Sequence, residues 1–157
     1  MDVTTMLSTK NLLTKLESDF PEFKFEKSDD FLWSPEQQIV FYDNTNDKFQ
    51  FYLFHELAHA VLHHSDYSRD IELVKMESEA WSKATDLANS YSICIDENWI
   101  QDTLDTYRDW LHLRSTCPRC QAIGIQEGPK SYKCIACGQI WHVNDAKTCG
   151  LKRYRYK

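Results

Sequence analysis

Apolar residues recur at helical spacing in four stretches of the chain and run together in two short segments between the first and second of these. From Thr4 to Glu17, Met6, Leu12, Leu13 and Leu16 fall close to the helical period and Pro21 closes the segment, which predicts a first helix. FKFE and QQIVFYD are short aromatic and β-branched runs separated by polar residues and Pro35, and they predict two strands of a small sheet. YDNTND then offers turn chemistry, with Asn46 or Asp47 as the expected N-cap of a second helix from Lys48 to His64. A third helix is expected from Asp70 to Tyr91, a span without Pro or Gly. A fourth should begin near Asp96, with Trp99, Ile100, Leu104, Tyr107 and Leu111 at helical spacing.

Beyond Arg114 the character of the chain changes, because all four glycines and every paired cysteine lie there. The pattern therefore predicts an α+β protein in two parts, a larger domain over residues 1–114 and a small C-terminal module over 115–157. A length of 157 residues suits one compact core with an appended module. At 42% hydrophobic and 13% aromatic the composition is that of an ordinary globular chain, which argues against extensive disorder. No apolar run approaches the roughly 20 residues a membrane span needs. The first residues also lack a basic segment followed by an apolar core, so a cytoplasmic protein with no membrane association is expected.

Charge divides the chain in the same place. Residues 1–113 carry 9 basic and 22 acidic side chains, whereas 114–157 carry 9 basic and 2 acidic, so a net charge of −6 conceals an acidic body and a basic tail. The basic segment ends in KRYRYK. Its Tyr132, Trp141, Tyr154 and Tyr156 interleave with lysines and arginines, a mixture suited either to nucleic-acid contact or, for the aromatics, to packing the module itself.

Within the second helix, FYLFHELAHAVLHH contains His55, Glu56 and His59 in the spacing HExxH. Residues four apart on a helix share a face about one turn of 5.4 Å from each other, so both imidazoles can meet one zinc ion. Glu56 projects to the flank of that stripe, where its carboxylate can act as general base toward a water activated by the metal. Bare histidines and a glutamate in an otherwise apolar helix would be costly to bury unless something paired them.

A catalytic zinc takes three protein ligands and leaves one position open. Downstream, Glu77 and Glu79 are the candidates. Leu73, Glu77, Ala80, Ala84, Leu87, Ala88 and Tyr91 make one mostly apolar stripe, while Glu79 falls among polar residues, so Glu77 is the carboxylate that faces the core and needs a cation. His63, one turn beyond His59, is the remaining candidate; three ligands along one straight stripe do not converge on a tetrahedral ion, and a role supporting the ligands suits it better. Tyr52, Tyr67, Tyr91 and His64 are the candidates for stabilising an oxyanion.

HELAHAVLHH followed by ESEAWSKATDLA resembles the ImmA/IrrE family of zinc metallopeptidases over residues 35–93. The resemblance implies a zincin-like core in which His55, His59 and Glu77 hold zinc and Glu56 is the base. It also implies an intracellular peptidase whose substrate is a regulatory protein such as a helix-turn-helix repressor. Trp81 and Ala84 stand where the family usually has a small polar residue and a phenylalanine. An HExxH domain followed by a cysteine module is similar as well to the SprT-like proteases that act on DNA-bound proteins, but those take a downstream histidine as third ligand, and the next one here is His112. A third reading keeps the metals and drops the turnover: a zinc-built regulatory or nucleic-acid-binding module.

Cys117 and Cys120 in CPRC, then Cys134 and Cys137 in CIACG, are two CxxC pairs separated by thirteen residues, with Pro118 and Gly138 shaping the turns. Four thiolates make a closed tetrahedral site with no open position, so a second, structural zinc is expected. A module of some forty residues has too little core to fold unaided, and the metal would supply the deficit. Cys94 and Cys149 are left as ordinary thiols.

Overall fold

Four helices and two small sheets account for the regular structure of residues 8–146 and 151–156, the part of the chain that the computed structural model describes. Thr4 and Met6 of the expected first helix, Cys149, and Lys157 at the end of the basic tail lie outside these residues. The described chain forms two compact units. One holds the chain up to Ser65 together with Ala80–Cys94, and the other holds Asp66–Glu79 and the chain from Ile95 onward.

In the first unit α1 (Thr9–Asp19) begins where the Ser8 hydroxyl accepts the Asn11 N–H, a side-chain cap that sets the helix start five residues after the expected one. Its Leu12 and Leu16 are fully buried. The sheet has three strands, β1 (Lys24–Lys27), β2 (Leu32–Ser34) and β3 (Ile39–Tyr42), in the order β1-β3-β2, with β1 parallel and β2 antiparallel to the central β3. Hydrophobic patterning missed β2, which is three residues long and buries only Trp33 among an exposed Leu32 and a half-buried Ser34. Its pairing with β3, Trp33 against Val40, is what makes it a strand.

The next helix, α2 (Phe49–Val61), is the most apolar in the chain and buries Leu53, Phe54, Leu57, Ala58 and Ala60 completely. Asn46 does not cap it. The Asn46 side chain accepts the Lys48 N–H at 2.8 Å and its carbonyl accepts the Phe49 N–H, so it forms a tight turn ahead of the helix, whose first flanking residue is Lys48. At the other end α2 stops three residues short of His64. The Leu62, His63 and His64 N–H groups turn back to the carbonyls of Ala58, Ala60 and His59, and His63 adopts φ 54. This is the paired-hydrogen-bond C-cap that usually places glycine in the left-handed position. α3 (Asp70–Ser90) ends in the same way, with Ser92 at φ 60 and the Ile93 N–H on the Ala88 carbonyl.

The second unit contains the start of α3, α4 (Glu97–Ser115) and a four-stranded antiparallel sheet of β4 (Ile125–Gly128), β5 (Ser131–Lys133), β6 (Ile140–Val143) and β7 (Arg153–Arg155) in chain order. The Asp96 side chain accepts the Asn98 N–H and caps α4, as the acidic start of that segment suggested. Tyr132, Trp141 and Val143 form the small core of the sheet with Cys117 and Cys134. Gly124 is required there: a Cβ at this position would sit 2.4 Å from the Trp141 ring and 2.8 Å from the Lys133 carbonyl.

A buried ion pair holds this unit together. Arg114, the penultimate residue of α4, donates to both carboxylate oxygens of Asp70, from Nε at 2.6 Å and from Nη2 at 3.3 Å, and both side chains are about 95% removed from solvent. The Tyr132 hydroxyl donates to the same carboxylate at 2.6 Å, and the Asp70 N–H donates to Gln126 Oε1 at 2.8 Å. Arg114 Nη1 reaches the Asn144 carbonyl at 2.7 Å, and its guanidinium lies 4.7 Å over the Trp110 ring. Burial and the Asp70 carboxylate push the Tyr132 phenol well above its ordinary range, which keeps it a donor. Because every partner is in place, removing one strands a buried charge. Arg114→Leu is expected to destabilise the protein by about 3–5 kcal/mol in urea unfolding, and Tyr132→Phe by about 1–3 kcal/mol; losses below about 1 kcal/mol for the arginine would mean that water reaches Asp70.

Candidate metal centres

Two groups of side chains in the described residues can hold a metal ion: His55, His59 and Glu77, all buried, and Cys117, Cys120, Cys134 and Cys137. In the first, one ligand atom from each residue lies within 4.8 Å of the others. The two histidines meet through Nε2 atoms 3.1 Å apart. Two nitrogens bound to one tetrahedral zinc at about 2.0–2.1 Å stand about 3.3 Å from each other, so the rings already have the spacing a shared ion imposes. Residues four apart on α2 achieve this with ring planes at 84°.

The surroundings of these ligands fix their orientation. His59 uses its other nitrogen as well, with Nδ1 2.9 Å from Nδ1 of His64. If Nε2 of His59 gives its lone pair to a metal, Nδ1 carries the proton and donates to His64, an arrangement that sets the tautomer and the ring angle. The left-handed turn at His63 makes the contact possible, since it reverses the chain at the end of α2 and returns His64 toward His59. His63 itself is exposed, and the contact with His59 is made by its neighbour His64. On the other ligand, the Trp81 indole stacks on the His55 imidazole at 4.0 Å with the planes only 20° apart. Trp81 is 1% exposed and closes that face of the ligand to water.

Glu56 points to a different partner. Its Oε2 accepts the main-chain N–H of Trp33 at 2.8 Å, which ties the carboxylate to strand β2. The indole Nε1 of the same tryptophan donates to the His64 carbonyl at 3.1 Å. One residue of a three-residue strand therefore braces both Glu56 and the His64 segment, and no sequence signal marked it. Among the other candidates, Glu79 is exposed and lies 3.7 Å from Lys75 one turn away, and His112 is exposed. Of the tyrosines weighed for an oxyanion, Tyr91 donates its hydroxyl to Asp19 at 2.5 Å. Burial, with that bond, pushes the Tyr91 phenol well above its usual range.

The cysteines show the same spacing argument. Sγ of Cys117 lies 3.7 Å from that of Cys137, and Sγ of Cys120 lies 3.5 Å from that of Cys134. Sulfurs about 2.3 Å from a central zinc would be about 3.8 Å apart. Each CxxC pair folds alike: the Gln121 N–H returns to the Cys117 carbonyl and the Gly138 N–H to the Cys134 carbonyl, with left-handed backbone at Gln121 (φ 64) and Gly138 (φ 76). Amide groups also point at sulfur, Arg119 N–H at Cys117 and Cys137 N–H at Cys134. The Cys137 N–H is the largest influence on the Cys134 thiol, which is pulled down to about 6. The Ala122 N–H lowers its partner Cys120, but contact with Cys134 and burial outweigh that and push it up to about 12. The set thus ionises unevenly by itself, and a divalent cation would let all four be thiolates. Cys94 is exposed and lies outside this group.

No family model, curated protein or solved structure matches this chain. The spacing of the donors and their supports therefore carries the functional argument by itself. His64→Ala is expected to lower zinc affinity at the histidine centre by about 10–100-fold, read by competition with a chromogenic chelator. His63→Gly should leave that affinity unchanged and raise stability by about 1 kcal/mol, because glycine adopts the left-handed conformation without strain; unfolding in urea measures it.

Proposed function

We propose that this chain is a zinc-dependent endopeptidase of the ImmA/IrrE type that cleaves a cytoplasmic regulatory protein, with a DNA-binding repressor as the first candidate, and that its four-cysteine module carries a structural zinc. The observation that carries the reading is the convergence of His55 Nε2, His59 Nε2 and the buried Glu77 carboxylate beside a fixed Glu56. A proton on the imidazole pair would also draw a carboxylate, but a divalent cation accounts together for the buried Glu77 and for a nitrogen spacing close to that of a tetrahedral ion. Glu77 as third ligand favours this reading over the SprT type, because His112 is exposed.

Zinc in this position would polarise a peptide carbonyl and make water nucleophilic near neutral pH. The chain's own residues supply the rest. Glu56, held through Oε2 by the Trp33 N–H, takes a proton on its other oxygen and returns it to the departing amine. His64 keeps His59 in the tautomer that offers Nε2 to the metal, and Trp81 shields His55 from water.

Metal analysis should find two zincs per chain, falling to one in His59→Ala or Glu77→Gln; a single zinc in the wild type would sink the assignment. Glu56→Gln should retain both metals and cut a repressor encoded beside the gene at least about 100-fold more slowly. Retained cleavage in that variant would exclude Glu56 as the base.

A further inference from the structure

The four-stranded sheet has two unlike faces. Tyr132, Trp141 and Val143 point inward and are 0–2% exposed, so two of the four aromatics that patterning offered for base stacking are core residues. The opposite face is set by register. Lys133 pairs with Ile125 and Ile140, and His142 pairs with Ser131 and Tyr154, which puts these side chains on the outer side. There the His142 imidazole lies between two tyrosines, stacked on Tyr154 at 4.9 Å and 20° and tilted against Tyr156 at 5.1 Å and 45°. Both tyrosines are about half exposed, at 43% and 54%, although each is in contact with a neighbouring ring. Exposed Lys133 on this face, and exposed Lys152 two residues before Tyr154, set positive charge beside the aromatic group.

We propose that this outer face binds single-stranded DNA, with bases stacking on Tyr154 and Tyr156 against His142 and phosphates meeting Lys133 and Lys152. A stack of rings left open to water beside cations matches a polymer of flat bases and phosphates, and the balance of 9 basic to 2 acidic residues beyond Leu113 gives the complementary field. A duplex keeps its bases stacked on one another and offers this face only phosphate. Stacking and phosphate contacts gain nothing from a ribose 2′-hydroxyl, so DNA suffices. The proposal stands apart from the peptidase reading and uses none of its residues.

The test uses the zinc-loaded full chain and a fluorescein-labelled oligothymidylate of about 15 nucleotides, followed by anisotropy between about 50 and 200 mM salt. Binding is expected with a slope of log affinity on log salt of about −1.4, for about two phosphate contacts at about −0.7 each. Tyr154→Ala and Tyr156→Ala should each weaken it at least about 5-fold with the slope unchanged. Lys133→Gln should lower the slope by about 0.7. RNA of the same length should bind within about 3-fold. Zinc content and circular dichroism verify that the variants fold, which is expected because both tyrosines are exposed. No binding at the lowest salt, equal binding of heparin with no effect of the tyrosine variants, or a preference for duplex or for RNA would each overturn the proposal.

Discussion

Lone pairs crowded together are the constraint around which this molecule is arranged. Two imidazole nitrogens at 3.1 Å with a carboxylate converging on them, and four sulfurs in two pairs at 3.5 and 3.7 Å, are groups that repel or compete for protons unless something positive stands among them. The neighbouring structure is built to keep them in that state. α2 presents its two histidines from one face, Trp81 roofs one of them, His64 braces the other, and the two CxxC turns aim main-chain amides at sulfur. Such bracing costs conformational freedom and, at His63 and Gln121, left-handed backbone in residues that carry a Cβ. An apolar core would need none of it.

Much of this was legible in the chain. Helical phase alone separates Glu77 from Glu79, because the apolar stripe of α3 contains one and excludes the other. The two CxxC pairs announced their cluster by spacing. The contacts that the chain did not show share a physical cause: they run through the main chain or between residues distant in sequence. Trp33 donates its backbone N–H to Glu56, 23 residues away, from a strand too short to show a period. His64 needed a helix end that residue types disguised, since histidine occupies the position where glycine would have given warning. Asp70, Arg114 and Tyr132 looked like an ordinary helix start, an ordinary helix end and a ribbon aromatic. Only folding puts one carboxylate under all of them.

Under the proposed ImmA/IrrE reading Trp81 is a departure at the position after ESEA, and its indole stacks on His55, a candidate ligand, at 4.0 Å. A small polar residue there would leave the imidazole face open to water. The indole replaces that water with an aromatic surface and lowers the local polarity, a change that would act on the affinity of a bound metal without touching any donor atom.

Arg114 has a consequence of another kind. Its side chain holds Asp70 and the Asn144 carbonyl, while its own carbonyl accepts the Trp141 indole N–H at 2.9 Å, so a single residue grips the four-stranded sheet by main chain and side chain together. Where a small module hangs from a flexible linker, each ligand it captures is held at a concentration diluted by the volume the linker sweeps. Here helix and sheet are joined without slack. The loss of freedom occurs when the chain folds, and the direction in which the outer face points relative to α4 is already decided before anything binds.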